Sequence, residues 1–312
     1  MNTLVRRRWP VAALALILLF VTGFGVVEAN VLGMGERFDR WAARIENWID
    51  PPPDRATLPT VVVTEEPSPS PSPSPRATPA PSASPTPSPT PIPRVAVDVN
   101  LVKNPERVFA SQLTDKDCAV AGTQMVLAIL GLGNNSAAFQ QEIKDRIGEW
   151  ESLNDSLNGG WGPAAVGLAL DDYGASGYEV RAYDTYAAAL RDSAVAISEL
   201  RKPVVMFPWW GAHTWVMTGY RADADPAIFD DAKIRGAYIL DPWYPRVSSI
   251  WGASDPPGNF ENLAELERNW PAYQGPPGYE SIGPGWTRPE GAYPDRDGRF
   301  VVLMPTTPRE GS

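Results

Sequence analysis

The hydrophobic pattern of the chain opens with one long apolar run. Residues 9–27 carry no charge over 19 positions, which as a helix measure about 28 Å, close to the thickness of a bilayer core. Arg6, Arg7 and Arg8 precede this run, and basic residues on that side predict a cytoplasmic N-terminus. We therefore predict a signal anchor over residues 1–30. The alternative is a signal peptide cleaved near residues 27–29, and in both cases the remainder is exported.

The next two segments have different patterns. Phe38, Trp41, Ile45 and Trp48 recur at helical spacing, which predicts an amphipathic helix over residues 31–50 that lies in the membrane interface or packs on a protein surface. Residues 51–94 contain 16 of the 34 prolines of the chain, among serine and threonine. Such a composition predicts a disordered, extended linker, acting as a stalk or as a passive spacer.

Residues 95–312 have the periodicity of a globular domain. Helices are expected first, at residues 117–130, 136–150, 162–174 and 185–201. Strands follow at residues 203–209, 213–220, 236–243 and 299–305, and residues 251–298 are expected to be irregular apart from one short helix at 261–270. Asp117 is the expected N-cap of the first helix. Helices followed by an antiparallel meander predict an α+β fold.

Composition and charge exclude several classes of function. The chain has one Cys and one His, which excludes a disulfide framework and every zinc site built from several Cys or His ligands. The net charge is −10, and residues 1–94 hold nine basic and eight acidic side chains, so the acidity belongs to residues 95–312. This charge argues against a nucleic-acid partner, and we expect no cofactor.

Four residues of the domain could form a nucleophilic site. Cys118 falls in the first turn of the first predicted helix, where the helix dipole favours a thiolate, although a lone Cys is often a buried apolar side chain. His213 opens a predicted strand and is either a packing residue or the base that a thiol needs. Asp241 ends the next strand, so antiparallel pairing would place it beside His213, as an orienting group or as a turn residue. Gln112, six residues before Cys118, is a candidate oxyanion donor.

Three segments around these residues resemble one peptidase family. SQLTDKDCAVAGTQMVL, GAHTWVMTGY and YILDPWYP resemble, in order, the Cys, His and Asp segments of the bacteriocin-leader peptidases, cysteine peptidase family 39 and its C39-like relatives. The resemblance covers roughly residues 107–245. It implies a papain-like fold, with Cys118 as nucleophile, His213 as general base, Asp241 as its orienting group and Gln112 as oxyanion donor. The chain departs from the family at Ala119, where Gly is usual, and in the long separation of His213 from Asp241.

The leading hypothesis is a membrane-anchored, extracytoplasmic cysteine peptidase that forms a thioester with a peptide or protein substrate. One alternative keeps the papain-like fold but makes the protein a cell-wall amidase or acyltransferase, for which a stalk is suited. Another is a catalytically inactive module that binds peptides or glycans through the tryptophans of the domain. The expected partners are the substrate, the membrane at the N-terminal helix and, by the stalk, the cell wall.

Overall fold

A mostly antiparallel sheet of eight strands lies at the centre of the computed structural model, which describes residues 57–64, 92–152, 155, 161–248, 250–273 and 293–307. Its strands are β1 (Thr60–Val63), β2 (Val97–Asn100), β3 (Tyr178–Tyr183), β4 (Val204–Met206), β5 (Trp215–Ala222), β6 (Ile234–Leu240), β9 (Asn259–Asn262) and β10 (Phe300–Pro305), while β7 (Val247–Ser248) and β8 (Gly252–Ala253) form a separate hairpin. The strand order in the sheet is β1–β3–β10–β4–β5–β6–β9, and β2 pairs with the C-terminal half of β5. Within the described strands, β1 and β3 form the one parallel pair.

Five α-helices accompany this sheet in the described part of the chain, and each falls in a segment where the pattern predicts a helix. They are α1 (Cys118–Leu130), α2 (Ala137–Asp145), α3 (Pro163–Asp172), α4 (Tyr186–Leu200) and α5 (Leu263–Asn269). Local signals explain their bounds. Ser136 and Thr185 cap the backbone N–H groups of Phe139 and Ala188. The left-handed Gly131 ends α1.

The helices cover both faces of the sheet because its strands alternate in the direction of their side chains. Val205 and Leu303 point to the face covered by α1 and α3, while Met206 and Val302 point to the face covered by α4 and α5. Both sets are almost fully buried. The result is a mixed α/β domain with a sheet between two helical layers.

The sheet begins earlier in the chain than the predicted domain boundary at residue 95. Residues of the predicted linker form β1, because TVVV is rich in the β-branched side chains that favour strands. Leu58 packs against Gly167 of α3, where an added Cβ would lie 2.5 Å from the leucine side chain. Since β1 and β2 belong to one sheet, residues 65–91 connect two strands of the same domain. The prediction of one uninterrupted linker over residues 51–94 is therefore corrected.

Other sequence predictions differ from the structure in detail. Strands β2, β3 and β9 were not predicted, and β10 lies between β3 and β4 instead of extending a meander. The second helix ends at Asp145 and a 3₁₀ turn follows at Ile147–Glu149. The predicted anchor at 1–30 and amphipathic helix at 31–50 lie outside the described residues. Among the residues described, no helix is long and apolar enough to cross a membrane.

Candidate functional site

The first turn of α1 holds Cys118, which is half-buried. Asp117 occupies the N-cap position, as predicted, but its side chain does not cap the helix. One of its carboxylate oxygens instead accepts hydrogen bonds from the Thr114 backbone N–H at 3.0 Å and from Lys144 Nζ at 2.9 Å. Asp117 therefore leaves the N–H groups of the first turn uncapped beside the thiol, where the positive end of the helix dipole lies.

A close approach of α1 to the sheet brings Cys118 and His213 together. Gly122, one turn after Cys118, faces Thr214, and an added Cβ at this glycine would lie 2.6 Å from the threonine Cγ2. His213 directly precedes Thr214, and its ring lies close enough to the Cys118 thiol for the thiol to raise the pKa of the imidazole. The sequence prediction that His213 opens a strand is off by two residues, because β5 begins at Trp215 and His213 closes the turn before it.

His213 also pairs with Asp241, as the predicted antiparallel pairing requires. Strands β5 and β6 are neighbours, with Val216 opposite Leu240, so the start of one lies beside the end of the other. The His213 Nε2 and Asp241 Oδ1 atoms are 2.7 Å apart, and both side chains are buried. The same carboxylate oxygen accepts the Trp243 backbone N–H at 2.8 Å. Since Nε2 is engaged by Asp241, Nδ1 is the ring nitrogen left for the sulfur.

The surroundings of the imidazole favour its charged form. Complete burial acts to lower the pKa of His213, but the charge and hydrogen bond of Asp241, together with Cys118, outweigh it and raise the pKa from 6.5 to about 9. At neutral pH the ring is therefore an imidazolium beside the Cys118 sulfur. A second buried carboxyl group lies behind this pair. Burial, reinforced by the charges of Asp255, Asp241 and Glu265 against that of Arg268, raises the pKa of Glu261 to about 8.

Gln112 lies in the segment that precedes α1, and this segment packs beside the residues that follow Asp241. Its backbone N–H donates to the Pro242 carbonyl at 2.9 Å, and the Arg246 guanidinium donates to the Gln112 carbonyl at 3.0 Å. The side chain is buried, and Nε2 donates to the Thr114 carbonyl at 2.7 Å. An amide nitrogen has two hydrogens, so one N–H of Gln112 remains for another acceptor. The structure thus brings all four predicted residues into one region.

Sequence reasoning missed the residues that hold the Gln112 segment. The Gln140 side chain of α2 donates to the Ser111 carbonyl and accepts from the Leu113 N–H, so it binds the backbone on both sides of Gln112. It also donates to Gln124 of α1 at 2.8 Å, inside the core. A glutamine on a helix face looks solvated in the sequence, and its burial depends on how α1 and α2 pack.

Tryptophan side chains surround the imidazole. Trp209 stacks on His213 with ring centroids 3.9 Å apart and planes inclined by 17°. Trp243 meets the same ring edge-on at 6.3 Å. Trp251 lies parallel to Trp209, with ring centroids 5.8 Å apart. The described residues contain no group of three or more His, Cys, Asp or Glu side chains that could hold a metal ion.

Comparisons with known proteins find a likeness among solved structures. No protein-family model and no curated protein matches the chain. Among solved structures, the chain is similar to a double-glycine motif protease from an AMS/PCAT transporter, crystallised in complex with its leader peptide. The TM-score is 0.31 and the sequence identity 16%, over 67% of this chain and 99% of the other. A similarity at this level does not itself establish an activity, so the functional argument rests on the site.

This arrangement has the parts needed for attack by sulfur on a carbonyl group. The Cys118 sulfur has the His213 imidazole as its acid–base partner, and Asp241 holds that ring by a hydrogen bond and favours its charged form. The N-cap side chain leaves the N–H groups in the first turn of α1 uncapped, and the Gln112 amide has a second N–H beyond the one that binds the Thr114 carbonyl. A lone Cys that served only as an apolar core residue would need none of these partners.

Proposed function

We propose that the protein is a papain-like thiol hydrolase that cleaves peptide or other amide bonds through a thioester. The observation that carries the proposal is the placement of the His213 imidazole: its Nε2 atom lies 2.7 Å from Asp241 Oδ1, and both Asp241 and the neighbouring Cys118 thiol raise its pKa. In this proposal Cys118 is the nucleophile, His213 the general acid and base, Asp241 its orienting group and Gln112 an oxyanion donor.

The proposed reaction begins from a thiolate and an imidazolium. The Cys118 sulfur attacks the carbonyl carbon, a C–S bond forms, and the carbonyl oxygen takes the negative charge. The backbone N–H of Cys118 and the free amide N–H of Gln112 stabilise that oxyanion. His213 then protonates the leaving amine, the C–N bond breaks, and a thioester remains on Cys118.

Water completes the proposed cycle. Neutral His213 removes a proton from water, the hydroxide attacks the thioester carbonyl, and the C–S bond breaks. The acid product leaves, and the thiolate and imidazolium are restored. The charge of Asp241 favours the imidazolium in both half-reactions, which is why a carboxylate suits this position better than a neutral acceptor.

We also propose that this hydrolase acts outside the cytoplasm, anchored by its N-terminal segment. The support is the uncharged run at residues 9–27 with Arg6, Arg7 and Arg8 before it. Fusion of a reporter enzyme that is active only after export, placed after residue 307, tests this topology. Reporter activity in intact cells supports it, and a reporter active only in the cytoplasm contradicts it.

Replacement of the nucleophile tests the activity directly. The full chain is incubated with a peptide library and with a peptidoglycan digest, and products are followed by mass spectrometry. Cys118→Ala is expected to abolish turnover and to remove any acyl adduct from the intact mass. Gln141→Ala, an exposed change on α2, is the matched control and is expected to keep full turnover. Substantial turnover by Cys118→Ala overturns the assignment.

The single thiol gives a second test that needs no substrate. At pH 6 the Cys118 thiolate is expected to react with iodoacetamide far faster than free cysteine does. A rate at or below that of free cysteine contradicts the proposed ion pair, and a fast rate without turnover on peptides directs attention to cell-wall substrates.

A further inference from the structure

Trp209 covers one face of the imidazole in a way that the catalytic residues alone do not require. Its centroid lies 3.9 Å from that of His213, with the two planes nearly parallel. Its own indole N–H is buried and has no hydrogen-bond partner among the described residues. Ring contacts and the backbone, and not a polar anchor, therefore hold the indole in place.

The backbone that carries Trp209 adopts an unusual conformation. Trp209, Trp210 and Gly211 follow one another in the left-handed region, with φ of 56°, 59° and 88°. For a residue with a Cβ this conformation is unfavourable, and such strain persists where the surroundings determine it. Here the turn is closed by hydrogen bonds from Gly211 and His213 to the Pro208 carbonyl. Tyr273 fills the space beside Gly211, where an added Cβ would lie 2.2 Å from its ring.

The positive charge of the His213 imidazolium strengthens its stacking with Trp209. The face of an indole carries negative electrostatic potential, and it attracts a cation more strongly than a neutral ring. The groups that otherwise act on the charge of His213 are Asp241 after β6 and Cys118 at the start of α1, with Glu261 of β9 behind Asp241. Trp209 lies against one face of the same ring, and Trp243 meets the ring edge-on.

We propose that Trp209 is a positioning residue that holds the His213 ring in line with Cys118 and, through its π face, stabilises the positive charge of the imidazolium. The catalytic value of this contact rests on the proposed function, whereas the contact itself does not. In the reaction, Trp209 keeps the ring from rotating as its proton moves to the leaving amine, and it keeps water from that face.

The sole histidine of the chain makes this proposal measurable without a substrate. Ring-¹⁵N-labelled histidine in the full chain gives one set of imidazole signals, from which the pKa of His213 is read by titration. Trp209→Leu keeps an apolar cover over the ring but removes the π face. We expect it to lower that pKa by about half to one unit, and Trp209→Phe to lower it less.

Trp210→Leu is the matched control, since it replaces the neighbouring tryptophan of the same left-handed turn. It contacts Trp251 at 4.8 Å, and we expect the pKa of His213 to stay unchanged in this variant. Thermal unfolding confirms that the variants are folded, and Trp209→Met replaces the leucine variant if that one fails to fold. An unchanged pKa in Trp209→Leu, or an equal shift in Trp210→Leu, overturns the proposal.

Turnover separates this proposal from the proposed function. If Trp209→Leu lowers the pKa of His213 and Trp210→Leu does not, the positioning role is supported, whether or not a peptide is cleaved. If Cys118→Ala retains turnover, the hydrolase assignment fails while the titration result stands. If the wild-type protein cleaves peptides but the His213 titration is the same in all Trp209 variants, the positioning role fails alone.

Discussion

Asp241→Asn isolates the charge that the carboxylate contributes to the site. An asparagine oxygen can still accept the His213 Nε2–H and the Trp243 N–H, so the hydrogen bonds at 2.7 and 2.8 Å remain while the charge disappears. The negative charge of Asp241 contributes most to raising the pKa of His213, against the opposing effect of burial. Without that charge, burial prevails, and we expect the pKa to fall from about 9 to below the ordinary value of 6.5.

The expected change is large enough to measure by two independent methods. A fall of 2.5 units or more corresponds to about 3 kcal/mol of lost stabilisation of the imidazolium. At pH 7 the protonated fraction falls from about 99% to under a quarter. Titration of the single histidine by NMR reads this directly. Alkylation of the single thiol by iodoacetamide is expected to slow in parallel at pH 6–7, because the thiolate loses its charged partner.

Asp98→Asn provides the control. It removes one carboxylate at the opposite end of β5, where Asp98 pairs with exposed Arg221, and it changes the net charge by the same amount. We expect the His213 titration of this variant to match that of the wild type. A pKa that stays above about 8 in Asp241→Asn would refute the view that this carboxylate charges the imidazole.

Two further predictions concern the oxyanion donor and the buried carboxyl group. Gln112→Ala is expected to lower kcat by about 10²–10³ with little change in KM, because its amide acts on charge that develops in the transition state; a change confined to KM in steady-state kinetics would contradict the role. Since the folded pKa of Glu261 is about 8 against 4.5 for the free side chain, the folded state binds more protons than the unfolded state between these values, so its stability falls as pH rises. Glu261→Gln removes this dependence on pH. Relative to the wild type, its free energy of unfolding is expected to rise by about 3–5 kcal/mol between pH 5 and pH 8, measured by denaturant unfolding. The same difference from the wild type at both pH values would show that Glu261 is ionised in the folded protein.

The parts of the site that could be predicted from sequence are those fixed by local chemistry. Cys118 at a helix start and Asp241 at a strand end follow from periodicity, and the pairing of two consecutive strands predicts that Asp241 lies beside His213. The approach of Cys118 to His213 depends on how α1 packs on the sheet at Gly122. The Gln140–Gln124 contact could not be predicted, because nothing in a single sequence shows which helix faces meet. The stacking of Trp209 on His213 was equally hidden, since it depends on left-handed backbone angles that tryptophan rarely adopts.

In the fold, too, features with local sequence signals could be predicted, and features that depend on distant partners could not. Helices with caps and clear periodicity were found within a few residues of their bounds. Strand β3 was missed although it lies in the middle of the sheet, because YEVRAY is a short segment between two helices and its partners, β1 and β10, are distant in sequence. β1 was missed because the prolines around it dominate the composition, while only four residues carry the β-branched signal.

The position of β1 has a consequence for how the N-terminal part of the chain is attached. Residues 65–91 join β1 to β2 within one sheet, so a protease that cuts between them severs the covalent link between residues 1–64 and the Cys118 site without removing either strand. The first fragment stays bound by the β1–β3 ladder, by Leu58 against Gly167, and by the hydrogen bond from Arg296 Nε to Thr60 Oγ1 at 2.9 Å. A permanent tether thereby becomes a reversible complex, and release of the domain is governed by a dissociation constant.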